Sequence, residues 1–359
     1  MRTNYLGIVG LNLSDKLYPA DITATSYSGM GYFLSLIPMN RLANYYLNKA
    51  LRVTETSTTI SLRLDTQYAQ GLMMIHQGNF KTANAHFLSA SQSARDANDD
   101  QRWLVLYAQY GATQYFLGDY VAFLRSMEAI ETLSRTQNNL QYIVWAMAPQ
   151  GYMAMRRGNY DDAIGIFTEA ENLLKQGKDA LAKIFVQGGL ALAYLYAGQL
   201  DDAETTVNDL FRRTYKKRPF GHSVLEGYPA VVEVYTALSL LTDDPTKRKK
   251  FAERANQGIQ TLTRYAKVFV FAQPRLWLWR GIHHALAGKS AQAERAWEKS
   301  LSLAKHYAIP FDEALAGRLL GLLPNHADEK ANADAIFARL DVTTPINEAV
   351  LNRIALKIK

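Results

Sequence analysis

Gly78-Asn79-Phe80-Lys81-Thr82-Ala83 and Gly158-Asn159-Tyr160-Asp161-Asp162-Ala163 are one turn written twice. Gly118-Asp119-Tyr120 and Gly198-Gln199-Leu200-Asp201-Asp202-Ala203 fall between and after them, so the four glycines follow one another at steps of 40 residues. One step back puts Pro38 at the turn and Ala43 at the alanine position. A fixed step of this length marks a repeat array, whose units stack because none can bury its apolar face alone.

Seven residues before each turn stands a small residue: Gly31, Gly71, Gly111, Gly151, Ala191 and, later, Gly281 before Gly288. Seven residues are two helical turns, so the small residue shares a face with the turn and admits a neighbouring helix closely. Sixteen residues after the small residue comes a large one, in order Leu47, Phe87, Met127, Phe167, Val207 and Trp297. Small and large positions are therefore expected to interlock across a helix pair. The turn glycine suits a left-handed C′ position. Asn79, Asp119 and Asn159 are expected to cap the next helix, and Asp161, Asp162, Asp201 and Asp202 sit in first turns, where carboxylates favour the helix dipole.

A small residue, an alanine and a large apolar residue at this spacing, with Tyr27, Tyr107 and Trp277 at the early aromatic position, resemble the tetratricopeptide repeat family over about residues 20–310. The resemblance implies an all-α, right-handed superhelix of antiparallel helix pairs. The step of 40 against a family norm of about 34 implies longer helices, and the family's closing proline is missing. Residues 1–214 read as N-terminal repeats, 215–310 as further repeats after a basic loop at Tyr215-Lys216-Lys217-Arg218-Pro219-Phe220-Gly221-His222, and 311–359 as capping helices of the same solenoid. Within the second stretch, Thr242-Asp243-Asp244-Pro245 reads as a turn with Asp244 as cap and Pro245 at the first helical position.

A second resemblance covers residues 260–340: Pro274-x-x-Trp277-Leu278-x-x-Gly281, Gly288-Lys289-x-x-x-Ala293, Trp297-x-Lys299-Ser300-Leu301 and Ile309-Pro310-Phe311-Asp312-Glu313-Ala314. This segment is similar to the final repeats of bacterial class III adenylate/guanylate cyclases and related signalling kinases, in which a catalytic domain and an AAA-type ATPase precede the repeats. The likeness implies a regulatory or recruiting tail of a larger protein. Met1 opens on a helical pattern without a polar cap, from which an exposed apolar N-terminal face is expected.

The chain has 359 residues, 48% hydrophobic and 20% charged, the usage of a folded globular protein. With no Cys, disulfides, thiolate nucleophiles and Cys-ligated metals are excluded. Tyr5–Leu13 is short and broken by Asn12, unlike a signal peptide, and Tyr32–Met39 falls short of a membrane span. A cytoplasmic protein without a membrane partner is expected. Gly29-x-Gly31 and Gly188-Gly189 lack the rest of any phosphate loop, and adjacent His283-His284 lack the spacing of a zinc helix. The chain reads as non-catalytic, with no cofactor and no metal.

A net charge of +7 keeps a nucleic-acid alternative open through Lys216-Lys217-Arg218 and Lys247-Arg248-Lys249-Lys250, beside the plainer reading of solvated loops and helix starts. Trp277 and Trp297 fall at repeat core positions, and Trp279 is open to either a core or a recognition role. In tetratricopeptide arrays the first helix of each pair lines a concave groove, and the family's groove positions correspond here to largely uncharged residues. Tyr68, Tyr115, Trp145, Tyr152 and Met155 are the candidate partner-binding set, since aromatic and Met side chains dominate recognition surfaces. The same positions could instead fill an inner packing layer. The expected partner is a protein or peptide, such as an apolar or aromatic helix or an upstream domain of the same polypeptide.

Overall fold

In a computed structural model, the described residues are Leu11, 20–37, 39–55, 57–219, 221–343 and 345–358. Pro38 at the first expected turn, Phe220 in the basic loop and nearly all of the N-terminal stretch fall outside them. The described residues form seventeen α-helices, two short 3-10 turns and no strand, the all-α, tetratricopeptide-like helical repeat that the 40-residue step implies.

By compactness the chain divides into Met1–Gln114 and Tyr115–Lys359. In the first unit α1 (Ala20–Ser35) packs on α2 (Asn40–Glu55) and α3 (Ile60–His76), and α3 on α4 (Phe80–Asp96). Helix α5 (Asp100–Leu117) begins in this unit. Beyond it follow α6 (Tyr120–Thr136), α7 (Leu140–Arg156), α8 (Tyr160–Leu174), α9 (Ala180–Tyr196) and α10 (Leu200–Thr214), with each of α7 to α10 packed on its predecessor. Next come α11 (Gly227–Leu241), the 24-residue α12 (Pro245–Val268), α13 (Gln273–Leu286), α14 (Ser290–Tyr307), α15 (Pro310–Leu320) and α16 (Ala327–Leu340). The last helix, α17 (Glu348–Lys357), turns back onto α11 and α13 with Val350 and Ile354 fully buried.

The interlock of small and large residues is present within the helix pairs. A Cβ on Gly71 would overlap the Phe87 ring, one on Gly31 the Leu47 side chain and one on Gly281 the Trp297 indole; at Gly151 it would meet Phe167 at 2.8 Å. Phe167 also fills the space over Gly189, so one ring locks three helices. The turn glycines adopt the expected left-handed conformation, with φ between 72° and 85° at Gly78, Gly118, Gly158, Gly198 and Gly288.

Capping follows the expectation only in part. Asp119 accepts from the Ala122 N–H and Asp244 from those of Thr246 and Lys247, with Pro245 at the first helical position. Asn79 and Asn159 cap nothing through their side chains, and the Asn79 amide donates instead to Gln77. Asn139, Asp179 and Asn347 cap α7, α9 and α17, three roles the repeat arithmetic does not reveal.

The expected division of the tryptophans needs correction. Trp297 is fully buried, as its position implies, and so is Trp279 at 2% exposure, whereas Trp277 is half-buried with the Arg280 guanidinium 4.8 Å from its ring. His222–Leu241 has the length and apolar character of a membrane span, yet 83% of it is buried within the protein. Its packing in the second unit makes it the central helix of that unit's core, contacted by α9, α10, α12, α13 and α17.

Candidate functional site

The groove positions can be followed residue by residue. In the first unit Tyr68 is half-buried, its ring tilted against Phe87. Asp65, one turn earlier, takes both nitrogens of the Arg102 fork at 2.8 and 2.9 Å.

In the second unit the inner-face positions have found partners in the chain itself. Tyr115 ends α5, and its hydroxyl donates to Glu226, which precedes α11. Arg156, in the last turn of α7, donates to the hydroxyls of Tyr115 (2.6 Å) and Tyr120 (2.7 Å) and to Glu226 (3.0 Å). From α13, Arg275 reaches Glu226 at 3.2 Å and also binds Asp312 in the first turn of α15. Phe311 offers its ring to both guanidiniums, 3.7 Å from Arg156 and 4.9 Å from Arg275. Arg156, Glu226, Arg275 and Asp312 are each less than 9% exposed, so this is an ion network inside the protein, where a charge is tolerated only if paired.

The titration of these groups follows from burial and pairing. Burial pushes the Glu226 carboxyl upward, but Arg275 and Arg156 outweigh it and hold it below its usual range. Asp312 ends raised, because burial exceeds the pull of Arg275; its second oxygen is buried with no hydrogen-bond partner. Burial raises the Tyr120 hydroxyl to about 12 despite Arg156. Two helical turns after Glu226, Glu233 on α11 accepts from the Tyr196 hydroxyl and from the Asn347 N–H just before α17. Burial lifts its carboxyl to about 7. Thr343 adds two hydrogen bonds to the Arg156 carbonyl, from its N–H at 2.8 Å and its hydroxyl at 3.2 Å.

Two of the five candidate partner residues are therefore inside. Tyr152 is 1% exposed, its hydroxyl donating to the Phe185 carbonyl at 2.9 Å, and Met155 is 4% exposed. Tyr115 is half-buried in the ion network. Tyr115 and Tyr152 thus meet later parts of the chain itself, Glu226 and the Phe185 carbonyl.

Trp145 is different. It is half-buried, stacked on Phe185 at 5.8 Å, and its indole N–H donates to Asp179 at 2.8 Å. Asp179 is one wall of an open cleft of about 640 Å³ formed where α7 and α9 begin and α8 and α10 end. Its apolar surface comes from Leu140, Val144, Leu174, Leu181 and Ile184, its basic rim from Lys178, Arg213, Lys217 and Arg218. The two basic runs thus diverge. Lys217 and Arg218 border the cleft. Lys247 and Lys250 share Glu204 at 3.5 Å, and Arg248 donates to the Thr242 carbonyl.

His283 is a packed histidine hydrogen-bonded to Thr236 and Asn256, with burial lowering its pKa to about 4. Glu294 and Glu298 on α14 bring their carboxylates within 4.8 Å of His326, before α16. This group escapes sequence reading because His326 lies far along the chain from the two acids. His326 contacts Glu294 at 2.9 Å, and that hydrogen bond raises its pKa, the behaviour of a surface ion pair.

No protein-family model matches the chain, and no curated protein matches it by sequence. Solved structures do match by fold. A Rap protein complexed with Competence and Sporulation Factor aligns over 99% of this chain and 94% of its own, with a TM-score of 0.66 and 12% identity. NprR in complex with its cognate peptide NprX aligns over 95% and 92%, at 0.63 and 12%. The apo quorum sensor NprR from B. thuringiensis aligns over 94% and 92%, at 0.55 and 12%. At this identity the likeness is one of fold.

Proposed function

We propose that the chain is a non-catalytic regulatory module that binds a peptide or an extended segment of a partner protein. The observation that carries this reading is the contrast within the second unit: inner-face positions are satisfied internally, while Trp145 stands at the margin of an open, largely apolar cleft. An aromatic residue held by a hydrogen bond beside a concave apolar surface is the usual anchor of a recognition site. Two fold neighbours whose names include a bound peptide or factor support it. The likeness of residues 260–340 to cyclase tails extends the proposal to a module tethered to a signalling enzyme, for which the test is an in-frame ATPase domain in the gene upstream. Peptides that co-purify with the chain, identified by mass spectrometry and resynthesised, should bind saturably. Trp145→Ala should weaken them at least tenfold with the melting temperature little changed. Absence of any saturable peptide would overturn the reading.

A further inference from the structure

We propose that the cleft beside Trp145 is the seat of the peptide and selects an acidic-apolar segment, one apolar side chain flanked by carboxylates. This rests on the peptide-binding reading above and names its ligand chemistry.

Charge comes first. The rim holds four cations, Lys178, Arg213, Lys217 and Arg218, against one carboxylate, Asp179, a local formal charge of 4 − 1 = +3. Asp179 is already occupied: one oxygen caps α9 by accepting from the Leu181 and Ala182 N–H groups, and the other accepts from the Trp145 indole and from Gln141. These donors fix its position, and as one negative charge against four positive ones it leaves the rim cationic. Among the described residues Lys178, Lys217 and Arg218 pair with no carboxylate, and Arg213 donates only to the neutral Gln187 amide at 2.9 Å. Like charges gathered at the mouth of a cleft repel one another, and a bound anion relieves that cost.

The second observation is Tyr228. Its side chain lines the cleft and is 4% exposed overall, its ring packed on that of Tyr265 at 4.3 Å. A phenol hydroxyl on the wall of a cleft can donate to an acceptor that enters it. A carboxylate accepts from both Tyr228 and the rim cations, while the apolar walls receive the side chain next to it. An apolar ligand without a carboxylate would leave the hydroxyl and the cations unmet. A cationic one would be repelled.

The experiment uses the full chain and N-dansylated hexapeptides with a central Leu flanked by Asp and Glu, by Ser and Gln, or by Lys and Arg, read by fluorescence anisotropy. The acidic set should bind best and weaken as salt rises. The triple variant Lys178→Glu, Lys217→Glu, Arg218→Glu changes only exposed side chains and should weaken the acidic set at least tenfold. Lys249→Glu, Lys299→Glu, Lys305→Glu, with the same change in net charge, should leave it unaltered. Tyr228→Phe should cost several-fold, and Leu140→Asp should lower affinity for the acidic and neutral sets alike. Equal affinity of the three sets, or of wild type and the Lys178 triple variant, would overturn the proposal and leave the peptide-binding reading intact. If no hexapeptide binds while the co-purified peptides do, the ligand chemistry named here is wrong; if neither binds, both readings fall.

Discussion

At the scale of single residues, two buried charges decide how the protein responds to substitution and to pH. Arg275 is the bridge of the ion network, since it holds Glu226 and Asp312 together. Arg275→Met keeps most of the volume but leaves two buried carboxyls short of their cation, a loss of roughly 3–5 kcal/mol for a broken buried pair. Chemical denaturation should register it, and a loss below about 1 kcal/mol would show the network to be dispensable. Glu233 sets the pH response. Burial raises its carboxyl to about 7 from a starting value of 4.5. Because the folded state holds the proton more tightly, the contribution is fully present below pH 4.5 and is lost as pH rises through 7. Glu233→Gln keeps an acceptor for Tyr196 and Asn347 without the charge. Relative to this variant, wild type should lose on the order of 2–3 kcal/mol between pH 5 and 8, and parallel stability curves would contradict the assignment.

At the scale of elements, helix contacts are set by the pairing of a small residue with a large one, and by the return of α17. Gly151 faces the Phe167 ring at 2.8 Å and has no room for a side chain. Gly151→Leu should therefore cost several kcal/mol, on the order of an overpacked core site. Hydrogen exchange should quicken chiefly in α7, α8 and α9, because units of a repeat array touch mainly their neighbours. Uniform acceleration along the chain would speak against local propagation. Helix α17 and its lead-in bury Val342, Ile346, Val350 and Ile354, each worth roughly 1.5–3 kcal/mol as an upper bound. A chain ending at Asp341 should melt well below wild type while keeping a helical far-ultraviolet spectrum. An unchanged melting temperature would mean that the segment is an appendage.

At the scale of the whole molecule, the net charge of +7 poses the nucleic-acid question, and the structure weighs against it. Lys247, Lys250 and Arg248 are engaged by Glu204 and a backbone carbonyl, and Lys217 and Arg218 of the other run line the cleft. A duplex or single-stranded oligonucleotide should bind no more tightly than the non-specific range of about 10⁻⁴ to 10⁻⁶ M at physiological salt. Tighter binding with a steep salt slope would favour nucleic acid as the partner.

What the sequence alone determined is what lies within one helix pair. Gly71 and Phe87, or Gly281 and Trp297, are separated by sixteen residues and meet because two helices joined by a tight turn must pack where side-chain volumes are complementary. The turn glycines, the Asp244-Pro245 start and the all-α class follow from backbone chemistry over a few residues. Only the tertiary structure decided where the inward-facing aromatics end up. Tyr115, Arg156, Glu226, Arg275 and Asp312 belong to five different helices or their leads, and each alone resembles an ordinary residue near a helix end. Their meeting depends on the angles accumulated from one helix pair to the next, which no local pattern encodes. The same holds for α17, whose apolar face finds α11 and α13 only after the chain has turned back on itself. The cleft beside Trp145 likewise exists because two helix starts, two helix ends and a longer basic loop converge, which no local pattern encodes.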